Sequence, residues 1–132
     1  MKDLDWSNLS FGYRQTDYNV RCYYRDGKWG EIEVCSDEYL KLHMAATCLH
    51  YGQEAFEGLK AYRCPDGKVR VFRMDENAKR LQSTCRGILM PEVPTEMFEE
   101  MVKKVVRLNQ EWIPTYESGA TLYIRPLLIG TS

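Results

Sequence analysis

The sequence lacks several features that would assign it directly to a protein class. Its five cysteines include no Cys-x-x-Cys pair, and their number is odd, so we expect buried free thiols rather than a disulfide framework or a zinc site. No apolar run approaches the roughly 20 residues of a membrane helix, and residues 1–6 lack the apolar core of a signal peptide. The net charge is −1, and no basic cluster suggests a nucleic-acid surface. We therefore expect a cytoplasmic chain that binds neither membrane nor nucleic acid.

The composition is typical of one soluble domain with a real core, since 44% of the 132 residues are hydrophobic. Alternation of apolar and polar residues predicts strands over 18–24, 59–63, 69–72 and 120–129. Turn residues at Asp26-Gly27 and at 65–67 predict two hairpins.

Apolar residues at helical spacing predict two helices after these strands. The first begins at Asp75 as its N-cap and ends near Met90, with Leu89 in its apolar stripe. The second begins with Thr95 as its N-cap and stops before Pro114. Strands followed by two helices and a strand predict an α+β fold of two layers, in which a largely antiparallel sheet carries two helices on one face.

The segment 49–62, LHYGQEAFEGLKAY, brings aromatic residues, glycines, carboxylates and a lysine into one short run. Gly52 and Gly58 disfavour a long helix and are expected to provide unusual backbone angles or a close approach. We therefore predict an irregular turn that leads into a strand. Tyr51 and Phe56 can form the wall of a ligand site, or they can both be core residues.

The segment 120–129 places two polar side chains on one face of its strand. Tyr123 and Arg125 are two residues apart, so they project to the same side. Pro126 cannot donate a backbone hydrogen bond, which predicts an edge or a bend at that point.

These two segments resemble the signatures of branched-chain amino-acid aminotransferases, which are fold-type IV enzymes that use pyridoxal phosphate (PLP). The second signature is LYIRPLLIGT over residues 122–131, and the resemblance extends over nearly the whole chain, from Phe11 onward. Further residues match in the order that the family shows: Val71, Phe72, Arg73, Asn77 and Arg80.

The resemblance implies that residues 1–132 are the N-terminal small domain of such an enzyme. The complete enzyme would transfer an amino group between leucine, isoleucine or valine and 2-oxoglutarate, as a homodimer. The Schiff-base lysine of the family lies in a larger domain beyond this chain, and Lys60 does not match it. We therefore expect no catalytic residue here and no activity of this chain alone.

The resemblance also implies roles for six residues. Arg80 would bind the phosphate of PLP, and Arg125 the carboxylate of glutamate or 2-oxoglutarate, whereas Tyr51 would reach into the partner subunit's site. Simpler roles remain open, namely a solvated helix arginine for Arg80 and a structural ion pair for Arg125. Phe11 can instead pin the N-terminal arm. The residues expected to bind substrate are Phe11, Tyr51, Phe56, Tyr123 and Arg125.

Two other functions remain open from the sequence. One is a different fold-type IV enzyme, such as a D-amino-acid aminotransferase or an aminodeoxychorismate lyase, which the second signature disfavours. The other is a non-catalytic module that binds a small anion or a protein. His43 and His50 have no ligand partners at suitable spacing, so no metal site is expected.

Overall fold

The computed structural model describes residues 15–131. They form nine short strands and three α-helices, together with two 3-10 turns at Gln110–Trp112 and Tyr116–Ser118. In chain order, the elements are β1 (Asn19–Arg21), β2 (Tyr24–Arg25), β3 (Lys28–Trp29), β4 (Glu33–Cys35), α1 (Thr47–His50), β5 (Glu54–Phe56), β6 (Leu59–Arg63), β7 (Val69–Val71), α2 (Met74–Gly87), α3 (Thr95–Leu108), β8 (Leu122–Ile124) and β9 (Leu127–Ile129).

All strand pairs in the described chain are antiparallel, and their five ladders are divided among four small sheets. β1 pairs with β4, β2 with β3, β5 with β9, and β6 lies between β7 and β8. The hairpin predicted at Asp26-Gly27 is present, and both residues have the positive φ of a type I′ turn, 54° and 79°. The strand predicted over 18–24 is interrupted after Arg21, because β1 and β2 pair with different partners.

A single core joins the two long helices to the strands, as the two-layer α+β prediction requires. The helices bury apolar residues at helical spacing, and small residues of β5 and β6 let them approach the strands closely. The buried residues of this cluster include Ala55, Leu59, Ala61, Ala78, Leu81, Cys85, Phe98, Val102, Val106 and Ile124.

The predicted helix ends need correction by a few residues. α2 begins at Met74, so Asp75 lies in its first turn rather than capping it, where a negative charge still favours the helix dipole. α2 ends at Gly87, and Leu89 turns outward with φ 59° and 88% exposure instead of joining the stripe. Thr95 is the first residue of α3, and its hydroxyl accepts a hydrogen bond from Gln82.

The ladders β5–β9 and β6–β8 are two parts of one antiparallel ribbon. Phe56 pairs with Leu127, and Leu59 pairs with Ile124, so an unbroken register places Glu57 opposite Pro126 and Gly58 opposite Arg125. Pro126 has no N–H to donate, but its carbonyl accepts a hydrogen bond of 3.0 Å from the Glu57 amide. We call these four residues, Glu57, Gly58, Arg125 and Pro126, the junction. Within residues 15–131, β8 pairs only with β6 and β9 only with β5, so the edge predicted at Pro126 is confirmed.

No helix within residues 15–131 combines the length and the apolar content that crossing a membrane would require.

Candidate functional site

The outer face of the ribbon presents a cation between two aromatic rings. Arg125 lies over the Phe56 ring, with its guanidinium carbon 4.6 Å from the ring centroid, and 5.4 Å from the centroid of Tyr123. Its Nη2 also donates a 3.1 Å hydrogen bond to the Tyr123 hydroxyl. Side chains alternate along a strand, so these residues share one face while Ala55, Glu57 and Leu59 face the core. The result is an exposed, preorganised cation.

Gly58 makes this arrangement possible by having no side chain. A Cβ atom at Gly58 would collide with the hydroxyl of Tyr123 and would lie 3.1 Å from its Cζ atom. The hydroxyl end of the Tyr123 ring therefore lies against Gly58 on the opposite strand. The close approach predicted for Gly58 is confirmed, and Gly52 has the predicted unusual backbone angle, with φ 62°.

The core side of the junction carries a buried carboxylate that is paired with an arginine of α2. Glu57 is 5% exposed, and it accepts hydrogen bonds from Arg80 Nε at 2.9 and 3.0 Å and from Arg80 Nη2 at 2.7 Å. Asn77 donates to the same carboxylate at 2.9 Å and to the Gly58 carbonyl at 3.3 Å. This hydrogen bonding raises the pKa of Arg80 above its ordinary value. The pair fixes α2 to the junction.

Tyr51 lies apart from this group, directly after α1, and its side chain is 82% exposed. Its ring centroid is 6.5 Å from that of His50. The loop around it is tied to the end of β9, since Gly130 donates to the Gln53 carbonyl at 2.9 Å and accepts from the Cys48 amide at 2.9 Å. Tyr51 is thus an exposed ring on an anchored loop.

The structure therefore brings together three of the predicted substrate residues, Phe56, Tyr123 and Arg125. Phe56 is 57% exposed and Tyr51 is 82% exposed. The alternative in which both rings are core residues is therefore wrong. Arg80 pairs with Glu57 while 67% of its side-chain surface is exposed, so the alternative of a solvated helix arginine stays open. Phe11 lies outside the described residues.

Two contributors were not identified from sequence as parts of the site. No ligand-binding role was predicted for Glu57, and Asn77 appeared only as a match to the family. One signal was available, because Asn77 and Arg80 are three residues apart and so lie on the same helical face.

Comparisons with known proteins place these features in a family. No family model matches the chain, but sequence and structure searches find clear relatives. The branched-chain-amino-acid aminotransferase of Haemophilus influenzae is 55% identical over 130 residues, which cover 98% of this chain and 38% of the relative. The chain belongs to the branched-chain-amino-acid aminotransferase family.

Solved structures of the same family agree with the fold. The branched-chain amino acid aminotransferase of Escherichia coli superposes with a TM-score of 0.65 at 27% identity, covering 87% of this chain and 33% of that one. A second branched-chain amino acid aminotransferase, complexed with N-(5'-phosphopyridoxyl)-L-glutamate, gives a TM-score of 0.61 at 29% identity, covering 76% and 31%. The chain thus spans well under half the length of these aminotransferases.

The donors of Arg80 fit the phosphate of the cofactor that aminotransferases use. A guanidinium has five N–H groups, and Glu57 engages those of Nε and one of Nη2. The rest of the side chain is open, with 67% of its surface exposed. Arg80 can therefore pair with Glu57 and still bind a phosphate group bidentately. Arg125 is a second, separate guanidinium, exposed on the other face of the ribbon.

The remaining polar groups suggest no other chemistry. Among residues 15–131, no group of three or more His, Cys, Asp or Glu could hold a metal ion. His43 Nδ1 accepts from the Ala45 amide at 3.0 Å, and His50 Nε2 lies 2.7 Å from the Met44 carbonyl, so both rings support a local turn. The five cysteines are free thiols, but only Cys85 is buried; the expectation of buried cysteines is wrong for the other four.

Proposed function

We propose that this chain is the small domain of a PLP-dependent branched-chain amino-acid aminotransferase. The complete protein would transfer amino groups between leucine, isoleucine or valine and 2-oxoglutarate. The chain would contribute an anion site for the substrate and an anion site for the cofactor, but not the Schiff-base lysine. We therefore propose that residues 1–132 are inactive alone.

The observation that carries the proposal is the position of Arg125 between Phe56 and Tyr123. A carboxylate that approaches Arg125 meets paired N–H donors whose orientation is held by two rings and a hydroxyl. The aromatic surfaces also suit an apolar side chain, as expected of a pocket that accepts both glutamate and leucine. Holding the guanidinium before substrate arrives reduces the entropy lost on binding.

Arg80 would hold the phosphate end of PLP. When bound, PLP supplies the electron sink that amino transfer requires. The task of Arg80 is electrostatic, since a permanently charged guanidinium can bind phosphate oxygens at every pH at which the protein is folded. Tyr51 would close part of the pocket of the partner subunit, which requires the homodimer that we also propose. We propose a cytoplasmic location as well, in keeping with the five free thiols.

The test is a substrate panel on the protein at its natural full length. We expect amino transfer from leucine, isoleucine and valine to 2-oxoglutarate, and none from D-alanine. Arg125→Gln should raise the KM for 2-oxoglutarate at least tenfold, about the effect of losing one charge-assisted hydrogen bond. Arg63→Gln serves as the control, since the side chain of Arg63 donates hydrogen bonds to the backbone carbonyls of Gly67 and Gln110 rather than to a carboxylate. Activity towards D-amino acids alone would contradict the proposal.

A further inference from the structure

The ion pair between Glu57 and Arg80 is unequal in burial. The carboxylate side is 5% exposed, whereas the arginine side chain is 67% exposed. A buried charge without a partner is strongly disfavoured, so Glu57 requires a cation at this place. Arg80, in contrast, is exposed enough to be solvated without Glu57. Burying the Glu57 carboxylate destabilises the fold. Its pairing with an exposed arginine does not by itself explain why the carboxylate is buried.

The fold holds the Glu57 carboxylate in one place. Its backbone amide donates to the Pro126 carbonyl at 3.0 Å, and its side chain faces the core between Ala55 and Leu59, both buried. Asn77 binds the same oxygen as Arg80 does, at 2.9 Å. A carboxylate fixed on three sides is a rigid anchor for a long and otherwise mobile side chain.

We propose that Glu57 is a positioning residue that orients Arg80 for binding a phosphate group. By engaging Nε and one N–H of Nη2, Glu57 selects one rotamer of Arg80 and leaves the N–H groups of Nη1 for the anion. Asn77 supports Glu57 in this role. The inference rests on the proposed function, because the phosphate group in question is that of PLP.

Glu57 has two opposite effects on phosphate binding, so the direction in which its replacement changes the affinity tests the proposal. A carboxylate near a phosphate site repels the phosphate, so removing its charge would strengthen binding if charge alone mattered. Losing the anchor frees a rotamer-rich side chain, which must then be immobilised when the ligand binds. If Glu57 positions Arg80, its removal weakens binding.

The experiment measures the affinities of PLP and of pyridoxal, which lacks the phosphate, for the natural full-length apoprotein. For Glu57→Gln we expect PLP to bind about three- to tenfold more weakly, the range set by immobilising one side chain, while the affinity for pyridoxal stays unchanged. Equal losses for both ligands would mean a general structural role and would overturn the proposal, as would unchanged or stronger binding of PLP. Glu54→Gln, an exposed carboxylate of β5, is the matched control.

A double-mutant cycle with Arg80→Ala tests whether Glu57 acts through Arg80. In that background we expect Glu57→Gln to have no further effect on PLP affinity, and an additional loss would contradict the proposal. If Glu57→Gln does not fold, Glu57→Asp keeps the charge, moves it by one methylene and should give the same PLP-selective loss. If Arg80→Ala leaves the affinity for PLP unchanged, Arg80 does not bind the phosphate, and this inference loses its basis. If Arg80→Ala weakens PLP binding but Glu57→Gln does not, this inference is wrong while the proposed function stands.

Discussion

The hydroxyl of Tyr123 occupies the space that a Cβ atom of Gly58 would need. The two residues lie on adjacent strands of one ribbon, and the contact sets the position of the ring that holds Arg125. Gly58 therefore acts on the candidate site without touching a ligand, through the absence of a side chain.

We predict that Gly58→Ala is destabilising only because of Tyr123. In the unchanged background, displacing the ring should lower the free energy of unfolding by about 1 kcal/mol, as for a mild overpacking. In a Tyr123→Ala background, the same substitution should raise it by about 0.5 kcal/mol, because alanine restricts the unfolded chain more than glycine does. Urea unfolding of the four proteins measures both values. The same sign in both backgrounds would contradict this reading of the contact.

Asn109 connects the start of the described chain to the end of α3. It is 2% exposed, and its Oδ1 accepts from the amides of Asp17 and Tyr18 while its Nδ2 donates to the carbonyls of Tyr18 and Val105. We predict that Asn109→Ala lowers the free energy of unfolding by about 1–3 kcal/mol, since it leaves partly buried backbone groups without partners. Asn109→Asp keeps an acceptor for the two amides but sets a carboxylate oxygen against the carbonyls of Tyr18 and Val105, so it should be destabilising as well. Hydrogen exchange should show the loss first in the amides of β1.

Leu89 adopts a backbone conformation that suits glycine better. Its φ is 59°, and it follows the end of α2, where the Met90 amide donates to the Cys85 carbonyl. The side chain is 88% exposed, so little packing would be lost by removing it. We predict that Leu89→Gly raises the free energy of unfolding by about 0.5–1 kcal/mol. Leu40→Gly is the matched control at an exposed leucine without a positive φ, and it should give no gain; a loss at Leu89 would contradict the prediction.

The turn between β6 and β7 should contribute a pH-dependent stabilisation. The hydrogen bond from Arg70, 3.1 Å from Nη2 to Oδ2, holds the pKa of Asp66 below its ordinary value. The folded protein binds the proton of the Asp66 carboxyl less tightly than the unfolded chain does. The stabilisation is therefore present above the ordinary pKa of about 3.9. It is lost as the pH falls through the lowered value.

An NMR titration of the Asp66 carboxyl carbon tests this prediction. Arg70→Gln should return the midpoint towards about 3.9, whereas Lys79→Gln, at a distant exposed lysine, should not move it. A midpoint of Asp66 at its ordinary value in the unchanged chain would contradict the prediction.

Local patterns in the sequence were sufficient where one strand or turn determines the structure. The strand predicted over 59–63 is β6 with the same bounds, and the turn at Asp26-Gly27 forms because its residues accept positive φ. Pro126 was correctly expected at an edge, since the missing N–H is a property of the residue itself. The α+β fold follows from the same local periods.

The rest of the site depends on pairings between distant segments, which local patterns do not encode. Alternation shows that Tyr123 and Arg125 share a face, but not that Phe56 lies across from them. The pairing of Glu57 with Arg80 joins residues 23 positions apart, and neither periodicity nor spacing indicates it. The end of α2 was predicted near Met90, too late in the chain, because Leu89 is an apolar residue at helical spacing whose positive φ takes it out of the helix.

The unbroken register across the junction limits how this part of the chain can change in length. Successive side chains of a strand point to opposite faces, so one residue inserted into either strand would reverse the faces beyond it. Such an insertion would turn the Glu57 carboxylate towards solvent or the Arg125 guanidinium towards the core. Single substitutions leave the two proposed anion sites on their own sides of the ribbon, whereas a change of length preserves this arrangement only when it comes in steps of two.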